Sequence, residues 1–178
     1  MPDHDQPVIS FRKAGPDDGN TLLAWLDEPH VREFWDLSDE GRANMLNYLQ
    51  GTSNVFDYWV GDIDGAPFCQ VMTTDARDGE PRHLTPFISP HGETWTMDFM
   101  IGEPIHVGRG LAAPTLAAFA KFAELEEPRL ASLLIDPMAT NTRAIHVYEK
   151  AGYRKVAEFA PPSGPFAGQP HILMSLTL

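Results

Sequence analysis

The chain has 178 residues, of which 43% are hydrophobic and 10% aromatic, and this composition suffices for one domain with a buried core. The 13 Lys and Arg residues against 25 Asp and Glu residues give a net charge of -12, which argues against nucleic acid and anionic membranes as partners because both repel an acidic surface. The longest apolar stretch, 111–123, contains Lys121 and is shorter than the roughly 20 residues of a membrane-spanning helix. We expect residues 1–178 to form a single domain without a membrane span.

The N-terminal segment and the cysteine content favour a cytoplasmic location. Residues 1–10, MPDHDQPVIS, have neither the basic nor the apolar region of a secretory signal. Cys69 is the single cysteine and therefore forms no internal disulfide. We expect it to be a small buried hydrophobic side chain.

The first half of the chain predicts an edge strand, three short helices and a hairpin. Side chains alternate over 8–14 as in a short strand. Apolar residues at helical spacing over 20–35 predict two helices divided by Pro29, and Ser38 is placed to cap a third that ends near Gln50. Asp64 and Gly65, between the β-rich runs 56–63 and 68–74, predict a hairpin turn.

A proline-rich segment, 75–92, separates the two halves of the chain. It contains Pro81, Pro86 and Pro90 and predicts a long loop, with a short strand at 84–88. After it the pattern alternates between strand and helix, which favours an α/β domain with a partly parallel sheet. The predicted strands are 93–101, 129–135, 153–159 and 171–178, and the predicted helices are 110–124 and 141–151.

A glycine-rich turn over 107–112 connects a predicted strand to a predicted helix. Gly108 and Gly110 allow backbone N–H groups to approach an anion, and the helix start adds unpaired donors and a partial positive charge. A diphosphate would be stabilised there. The turn has neither the GxGxxG spacing of dinucleotide folds nor the lysine of a P-loop, so NAD and ATP are disfavoured.

The second half of the chain resembles the GNAT family of acyl-CoA-dependent N-acyltransferases. The resemblance rests on GRGLA at 108–112, Asp136-Pro137, Asn141, RAI at 143–145 and YEKAGY at 148–153. It points in particular to aminoglycoside 6'-N-acetyltransferases and to siderophore-biosynthesis N-acyltransferases, and it extends to HVREFW at 30–35 and GAP at 65–67. It implies an α/β GNAT fold, a central mixed sheet of about seven strands flanked by helices.

The resemblance also implies acetyl-CoA as co-substrate. Val107 stands where the family usually has Gln or Arg at the start of its pyrophosphate motif, so one side-chain contact is missing while the backbone cradle is kept. The histidines show no metal-ligand spacing, and we expect no metal. The implied acetyl-CoA-binding residues are Met100, Ile101, Val107, Gly108, Arg109, Gly110, Leu111, Ala112, Ala113, Asn141, Ala144 and Tyr148.

Acetyl transfer to an amine needs a base for the amine and an acid for the departing thiolate. Asp98 is an unusual residue for a central strand. It is part of a solvated face or of a structural ion pair, or it is an anchor for the substrate ammonium or the base that the resemblance implies. Asp136 before Pro137 is either a turn former or, by resemblance, a substrate contact or second base. Tyr148 is either a core side chain or the family's general acid, since a phenol stays protonated at neutral pH. Asn141 caps its helix or, by resemblance, contacts pantetheine.

Acidic side chains between Asp27 and Glu40 surround Phe34 and Trp35, either as a solvated surface or as a site for a cationic acceptor. The resemblance places Trp35, Asp98 and Asp136 at the acceptor. We expect an N-acetyltransferase acting on a primary amine of a cationic small molecule such as an aminoglycoside, as a monomer or homodimer. The alternatives are N-acylation of a hydroxylated lysine or ornithine in siderophore assembly, acetylation of protein N-termini, and a non-catalytic acyl-CoA-binding module.

Overall fold

The elements form where the sequence alternates apolar and polar residues or repeats them at helical spacing, and the computed structural model describes them over residues 7–78 and 82–178. Within these residues the strands are β1 (Ile9–Lys13), β2 (Asp57–Ile63), β3 (Ala66–Asp75), β4 (Glu93–Ile101), β5 (Leu130–Ile135), β6 (Arg154–Phe159) and β7 (His171–Thr177). The α-helices are α1 (Gly19–Leu26), α2 (Pro29–Arg32), α3 (Asp39–Leu49), α4 (Ala112–Glu126) and α5 (Thr142–Lys150).

The seven strands form one mixed sheet in the order β1-β2-β3-β4-β5-β7-β6. Strands β4 and β5 are parallel and are connected through α4, whereas the other neighbouring pairs are antiparallel. The predicted α/β fold with a mixed sheet of about seven strands flanked by helices is therefore confirmed. Strand β1 lies at one edge, as its shortness predicts.

Each face of the sheet has its own apolar core. On one face Leu116 and Phe119 of α4 pack in a buried cluster with Trp59 of β2 and Met97 of β4. On the opposite face side chains from α1 to α3, including Leu22 and Met45, pack with Tyr58, Val60 and Met100. Because side chains alternate along a strand, Asp98 shares the face of Met100 and points towards the side of α1 to α3.

Strands β4 and β5 separate towards their C-terminal ends. Their pairing runs from Glu93 with Leu130 to Thr96 with Leu134 in the described part of the chain, while β4 continues to Ile101. Residues 97–101 of β4 pair with β3 alone. We call the edge of β4 over residues 97–101, which does not pair with β5, the strand gap; it lies in the middle of the sheet.

Local predictions are confirmed where a single turn or cap decides the structure. Asp64 and Gly65 have φ of 50° and 83°, the two positive values that a type I′ hairpin turn requires. Ser38 caps α3 by accepting a hydrogen bond from the Gly41 amide at 3.1 Å. Cys69 is fully buried, and burial raises the pKa of its thiol. Within the described residues, none of the helices is both long and apolar enough to cross a membrane.

Two predicted elements differ from the structure. The predicted strand at 84–88 is wrong, because Arg82–Phe87 forms a 3-10 helix that contains Pro86, which has no N–H for a strand ladder. Leu84 is 7% exposed and packs with Leu134 and Leu173 on the Asp98 face of the sheet. Helix α4 begins at Ala112 rather than at Gly110, because Gly110 has a φ of 76°, outside the helical region.

Candidate active site

The two predicted carboxylates lie on the same face of the sheet, near the strand gap. Asp98 belongs to β4, and Asp136 directly follows β5. Asp98 is accessible to solvent but lies in a concave pocket. Burial of its charge, followed by the negative charges of Asp136 and Asp36, raises the pKa of Asp98 to about 7, although the charge of His171 acts in the opposite direction. The structure therefore places Asp98 and Asp136 within one electrostatic cluster.

A pocket rich in aromatic side chains surrounds Asp98, and we call it the aromatic pocket. Trp35 lies in its wall, on the side where the sequence analysis expects an acceptor. Gln70 lies there too, 0% exposed, with no hydrogen-bond partner within the described residues for its amide oxygen and nitrogen. The lining consists of Leu26, Phe34, Trp35, Asp36, Gly41, Asn44, Met45, Phe56, Tyr58, Gln70, Met72, Asp98 and Phe166.

The acidic stretch before α3 has two kinds of carboxylate. Asp36 lines the aromatic pocket and accepts a hydrogen bond from the Ser38 amide at 2.8 Å. Its charge contributes to the raised pKa values of Asp98 and Tyr58. Asp27, in contrast, is exposed and binds Arg42 at 3.0 Å. The stretch therefore has an exposed, ion-paired carboxylate in Asp27 and a pocket-lining carboxylate in Asp36.

Tyr148 lies on the opposite face of the sheet from Asp98. It is 7% exposed, belongs to the core cluster of α4 and has its ring centroid 6.1 Å from that of Tyr153. Burial and then the charges of Asp98 and Asp136 raise its pKa. The phenol is thus protonated at neutral pH, and the strand gap separates it from the aromatic pocket.

His171, which the sequence analysis singles out for no role, joins the carboxylate cluster. Its Nδ1 lies 2.7 Å from the Asp136 carbonyl oxygen and 3.3 Å from Oδ2 of the same residue. A carbonyl only accepts, so Nδ1 carries the hydrogen and donates. The interaction with the Asp136 carboxylate raises the pKa of His171 against the effect of burial, and the hydrogen bond to the Asp136 carbonyl adds to the rise. Nothing local in the sequence marks His171, because the pairing of β7 with β5 brings it here.

Residues 107–111 form an open turn ahead of α4, and we call them the glycine loop. Gly108 and Gly110 each have a φ of 76°, a conformation that glycine adopts without strain. A Cβ at Gly110 would meet no atom within 4 Å. The first turn of α4, Ala112 and Ala113, follows directly and adds its free N–H groups. Such a turn fits a diphosphate.

Arg143 of α5 lies beside the glycine loop and was not predicted as a site residue. Its guanidinium is 3.6 Å from the position that a Cβ would occupy at Gly108. Val107 and Arg109 form backbone-directed contacts with the preceding turn: the Val107 amide donates to the Pro104 carbonyl at 3.1 Å, and Arg109 Nε donates to the Ile105 carbonyl at 3.4 Å. Arg143 thus places a cation where a bound diphosphate would need one.

The remaining predicted residues belong to β4, to the glycine loop and to the start of α5. Met100 and Ile101 are in the part of β4 that pairs with β3 alone, and His30 Nε2 donates to the Ile101 carbonyl at 2.8 Å. Asn141 caps α5, accepting a hydrogen bond from the Ala144 amide at 3.1 Å. The cap occupies the Asn141 oxygen and does not use its two N–H donors. Leu111, before α4, packs near the cluster of Phe68 and Cys69.

Comparisons with known proteins confirm the resemblance found in the sequence. The chain is 28% identical over 159 residues to the N(6)-hydroxylysine O-acetyltransferase of Escherichia coli, covering 87% of this chain and 49% of that protein. It thus spans about half the length of that relative. It is 23% identical over 164 residues to the aminoglycoside N(6')-acetyltransferase type 1 of Klebsiella pneumoniae, covering 88% of this chain and 79% of that protein.

Solved structures share the fold. The aminoglycoside N(6')acetyltransferase of Legionella pneumophila superposes with a TM-score of 0.77 at 22% identity, covering 98% of this chain and 94% of that one. The aminoglycoside acetyltransferase AAC(6')-Ib, solved with coenzyme A and kanamycin, gives a TM-score of 0.78 at 20% identity and covers 96% and 95%. The sequence model of the acetyltransferase (GNAT) domain matches residues 16–160, and the chain belongs to this family.

Proposed function

We propose that the protein transfers the acetyl group of acetyl-CoA to a primary amine of a cationic small molecule, in the manner of an aminoglycoside 6'-N-acetyltransferase. One observation carries the proposal: Asp36 and Asp98 line one aromatic pocket, and Asp98 lies in the half of β4 that borders the strand gap. Carboxylates beside aromatic faces suit a cation, and the gap would admit the acyl donor from the other face.

The glycine loop supports the donor side of the proposal. The backbone of Val107, Gly108, Arg109, Gly110 and Leu111, with Ala112 and Ala113 of α4, would hold the diphosphate of acetyl-CoA. Arg143 adds a cation, and Asn141, Ala144 and Tyr148 would line the pantetheine arm together with Met100 and Ile101. When bound, acetyl-CoA supplies the activated thioester.

Asp98 has the properties of a base for an amine that arrives as an ammonium ion. The Asp98 carboxylate attracts the ammonium ion. The raised pKa of Asp98 lies closer to the pKa of the ammonium group, which eases proton transfer between them. In our proposal Asp136 is the second acceptor contact and an alternative base, and Trp35 packs against the body of the acceptor. Phe166, which the sequence analysis missed, forms a further aromatic wall.

Tyr148 would return a proton to the CoA sulfur. It lies on the donor side of the strand gap, and its raised pKa keeps the phenol protonated until the thiolate forms. The N–C bond to the acetyl group forms as the C–S bond of the thioester breaks. The ammonium loses one proton to the Asp98 carboxylate and one to solvent, and the thiolate gains one from the Tyr148 phenol. Asp98 then releases its proton and Tyr148 regains one from solvent, so that one proton is released for each acetyl group transferred. No metal is needed for these steps.

A second candidate acceptor is a hydroxylated lysine. The relative from Escherichia coli carries the name N(6)-hydroxylysine O-acetyltransferase and has a higher sequence identity than the aminoglycoside enzyme, 28% against 23%. The aromatic pocket suits this cation also. A non-catalytic acyl-CoA-binding module is not favoured, because Asp98, Asp136 and Tyr148 surround the strand gap.

The test is release of CoA from acetyl-CoA, followed with a thiol reagent, with kanamycin and with N6-hydroxylysine in parallel. Release with kanamycin supports the first acceptor class, and release with hydroxylysine alone supports the second. Asp98→Asn should abolish most of the release, whereas Asp27→Asn, which changes an exposed carboxylate bound to Arg42, should leave it unchanged. Binding of acetyl-CoA without release of CoA on either acceptor contradicts the proposal. Release of CoA with unmodified peptides alone contradicts it as well.

A further inference from the structure

We propose that His171 is a positioning residue for acetyl transfer: its Nδ1–H donates to the Asp136 carbonyl, and the same nitrogen contacts the Asp136 carboxylate, so that the imidazole holds Asp136 beside Asp98 and both carboxylates meet the incoming amine together. The inference rests on the proposed function, because it needs Asp98 and Asp136 to act on the acceptor. His171 itself does not touch the reacting atoms in this proposal, and it exchanges no proton with them.

The hydrogen-bond geometry fixes the direction in which His171 acts. Nδ1 donates to the Asp136 carbonyl at 2.7 Å and lies 3.3 Å from Asp136 Oδ2. The His171 side chain is 7% exposed, while that of Asp136 is 37% exposed. The carbonyl of Asp136 is therefore held from inside the protein, and the carboxylate contacts the same nitrogen on one side and is accessible on the other. Without the imidazole, Asp136 would lose both contacts.

The imidazole is itself held firmly. Its ring centroid lies 5.6 Å from that of Phe159 and 5.9 Å from that of Phe166. The backbone around it is clamped on both sides, by Ile172 N donating to the Pro137 carbonyl at 2.9 Å and Ala139 N donating to the Pro170 carbonyl at 2.8 Å. His171 Nε2 is buried without a hydrogen-bond partner in the described part of the chain. The ring is thus anchored through Nδ1 and by packing.

Phe166 connects this arrangement to the aromatic pocket, because its ring contacts His171 and lines the pocket as well. The titratable groups acting on the imidazole are Asp136, through its hydrogen bond and charge, and Asp98, through its charge. On the neighbouring strand β6, Lys155 and Glu158 bind each other on the surface. A positive charge on His171 lowers the pKa of Asp98, against the effects of burial and of Asp136.

Two substitutions separate the orienting hydrogen bond from the charge. His171→Phe keeps an aromatic ring between Phe159 and Phe166 but removes the N–H donor and the charge. His171→Asn keeps a donor near the position of Nδ1 and removes the charge. His146→Asn, on the exposed face of α5, is the matched control and should behave as the parent.

The readout is kcat/KM for kanamycin from about pH 5 to about pH 9, with acetyl-CoA affinity and melting temperature measured on the same samples. His171→Phe should lower the plateau by about 10- to 100-fold, the usual effect of removing a group that orients another functional side chain. The acid side of the pH profile of kcat/KM should move to higher pH in this variant, because the pKa of Asp98 rises when the nearby cation is removed. His171→Asn should restore most of the plateau and keep this shift to higher pH.

A double variant tests whether His171 acts through Asp136. In an Asp136→Asn background, His171→Phe should have little further effect on kcat/KM. Additive losses, a parent-like plateau in His171→Phe, or equal losses in the Phe and Asn variants would overturn the inference. If His171→Phe fails to fold, the Asn variant and its pH profile still decide between orientation and packing.

Nuclear magnetic resonance of the imidazole separates this inference from the proposed function. Long-range proton–nitrogen spectra should show Nδ1 protonated in the neutral form, and the titration midpoint of His171 should fall in Asp136→Asn. An unchanged midpoint overturns the inference whatever the acceptor is. If neither kanamycin nor N6-hydroxylysine is acetylated while the midpoint falls, the pair is real and the acceptor proposal is the part that fails.

Discussion

At the scale of single residues, Asp98, the base in our proposal, also carries a stability penalty. Its pKa is raised to about 7 in the folded protein by burial and by the charges of Asp136 and Asp36, while an unfolded chain has an aspartate pKa of about 3.9. Between these two values the folded state binds more protons than the unfolded state, so the free energy of unfolding falls as pH rises. Above about pH 7 the whole penalty is present.

Asp98→Asn should therefore stabilise the protein at high pH. We expect its melting temperature to exceed that of the parent at about pH 8 and the difference to be small near pH 4, where the parent carboxyl is protonated in the folded state and about half protonated in the unfolded state. Circular dichroism melts at several pH values measure this. Asp27→Asn, which removes an exposed partner of Arg42, should show no such gain. A gain that is equal at both pH values contradicts the assignment of the penalty to the Asp98 charge.

Tyr148 and Tyr153 form a matched pair of buried phenols with different surroundings. Burial raises the pKa of both phenols, and for Tyr148 the charges of Asp98 and Asp136 add to the rise. The Tyr153 hydroxyl donates to Met97 Sδ at 3.1 Å. Tyr148→Phe should lower kcat by about 100-fold with unchanged acetyl-CoA affinity, because it removes the acid and keeps the ring. Tyr153→Phe should leave kcat near the parent value. Steady-state kinetics on both variants test this prediction. Equal kcat values for Tyr148→Phe and Tyr153→Phe would mean that Tyr148 serves only in packing.

Which residues the sequence reveals depends on how local their signal is. Asp98 is visible because a carboxylate is unusual within an apolar strand, and Trp35 and Tyr148 are visible because their motifs resemble a family. Arg143 lies within the RAI motif of the resemblance, but its place beside the glycine loop is visible only in the structure. His171 and Phe166 carry no such mark. They reach the site through strand order and loop packing, which no short stretch of sequence encodes.

At the scale of elements, the glycine loop is the part whose backbone matters most. Gly110→Ala introduces a Cβ at a φ of 76° where no neighbouring atom lies within 4 Å. The Cβ would face the space that a diphosphate would occupy, so we expect the Kd for acetyl-CoA to rise about tenfold or more. The backbone strain alone costs about 1–2 kcal/mol.

Gly51→Ala is the control for that strain. Gly51 has a φ of 71°, and a Cβ added to it would likewise have no atom within 4 Å, but it follows α3 far along the chain from the glycine loop. It should lower the melting temperature about as much as Gly110→Ala and leave acetyl-CoA affinity unchanged. Isothermal titration calorimetry with acetyl-CoA compares the two variants. Equal affinities would remove Gly110 from the donor site.

The predictions of helices and strands succeed where a turn or cap residue marks a boundary, and they fail where tertiary packing determines the local conformation. Asp64-Gly65, Ser38 and the glycine loop each fix a boundary through a backbone requirement. The run 84–88 has the apolar character of a strand, but Pro86 interrupts any ladder and Leu84 packs on Leu134 and Leu173 instead. Strand β7 lies between β5 and β6 in the sheet, so it pairs with strands that are distant in sequence. The periodicity of apolar residues along a strand does not indicate which strands pair.

At the scale of the whole molecule, the net charge of -12 should steer cationic acceptors towards the protein. We expect kcat/KM for kanamycin to fall several-fold as ionic strength rises from about 10 to about 150 mM, since the Debye length falls from roughly 30 to roughly 8 Å. The dependence should be weaker for N6-hydroxylysine, which carries fewer positive charges. Initial rates at a series of salt concentrations test this, and a flat response for kanamycin excludes steering.

The burial of Cys69 makes the protein a convenient object for thiol chemistry. The chain has one cysteine, its side chain is 0% exposed, and burial raises the pKa of the thiol, so it reacts slowly while the sheet is intact. A thiol reagent added during turnover should then count released CoA with little background from the enzyme. The same thiol becomes a reporter of opening between β2 and β3, because its labelling rate measures how often the centre of the sheet is exposed.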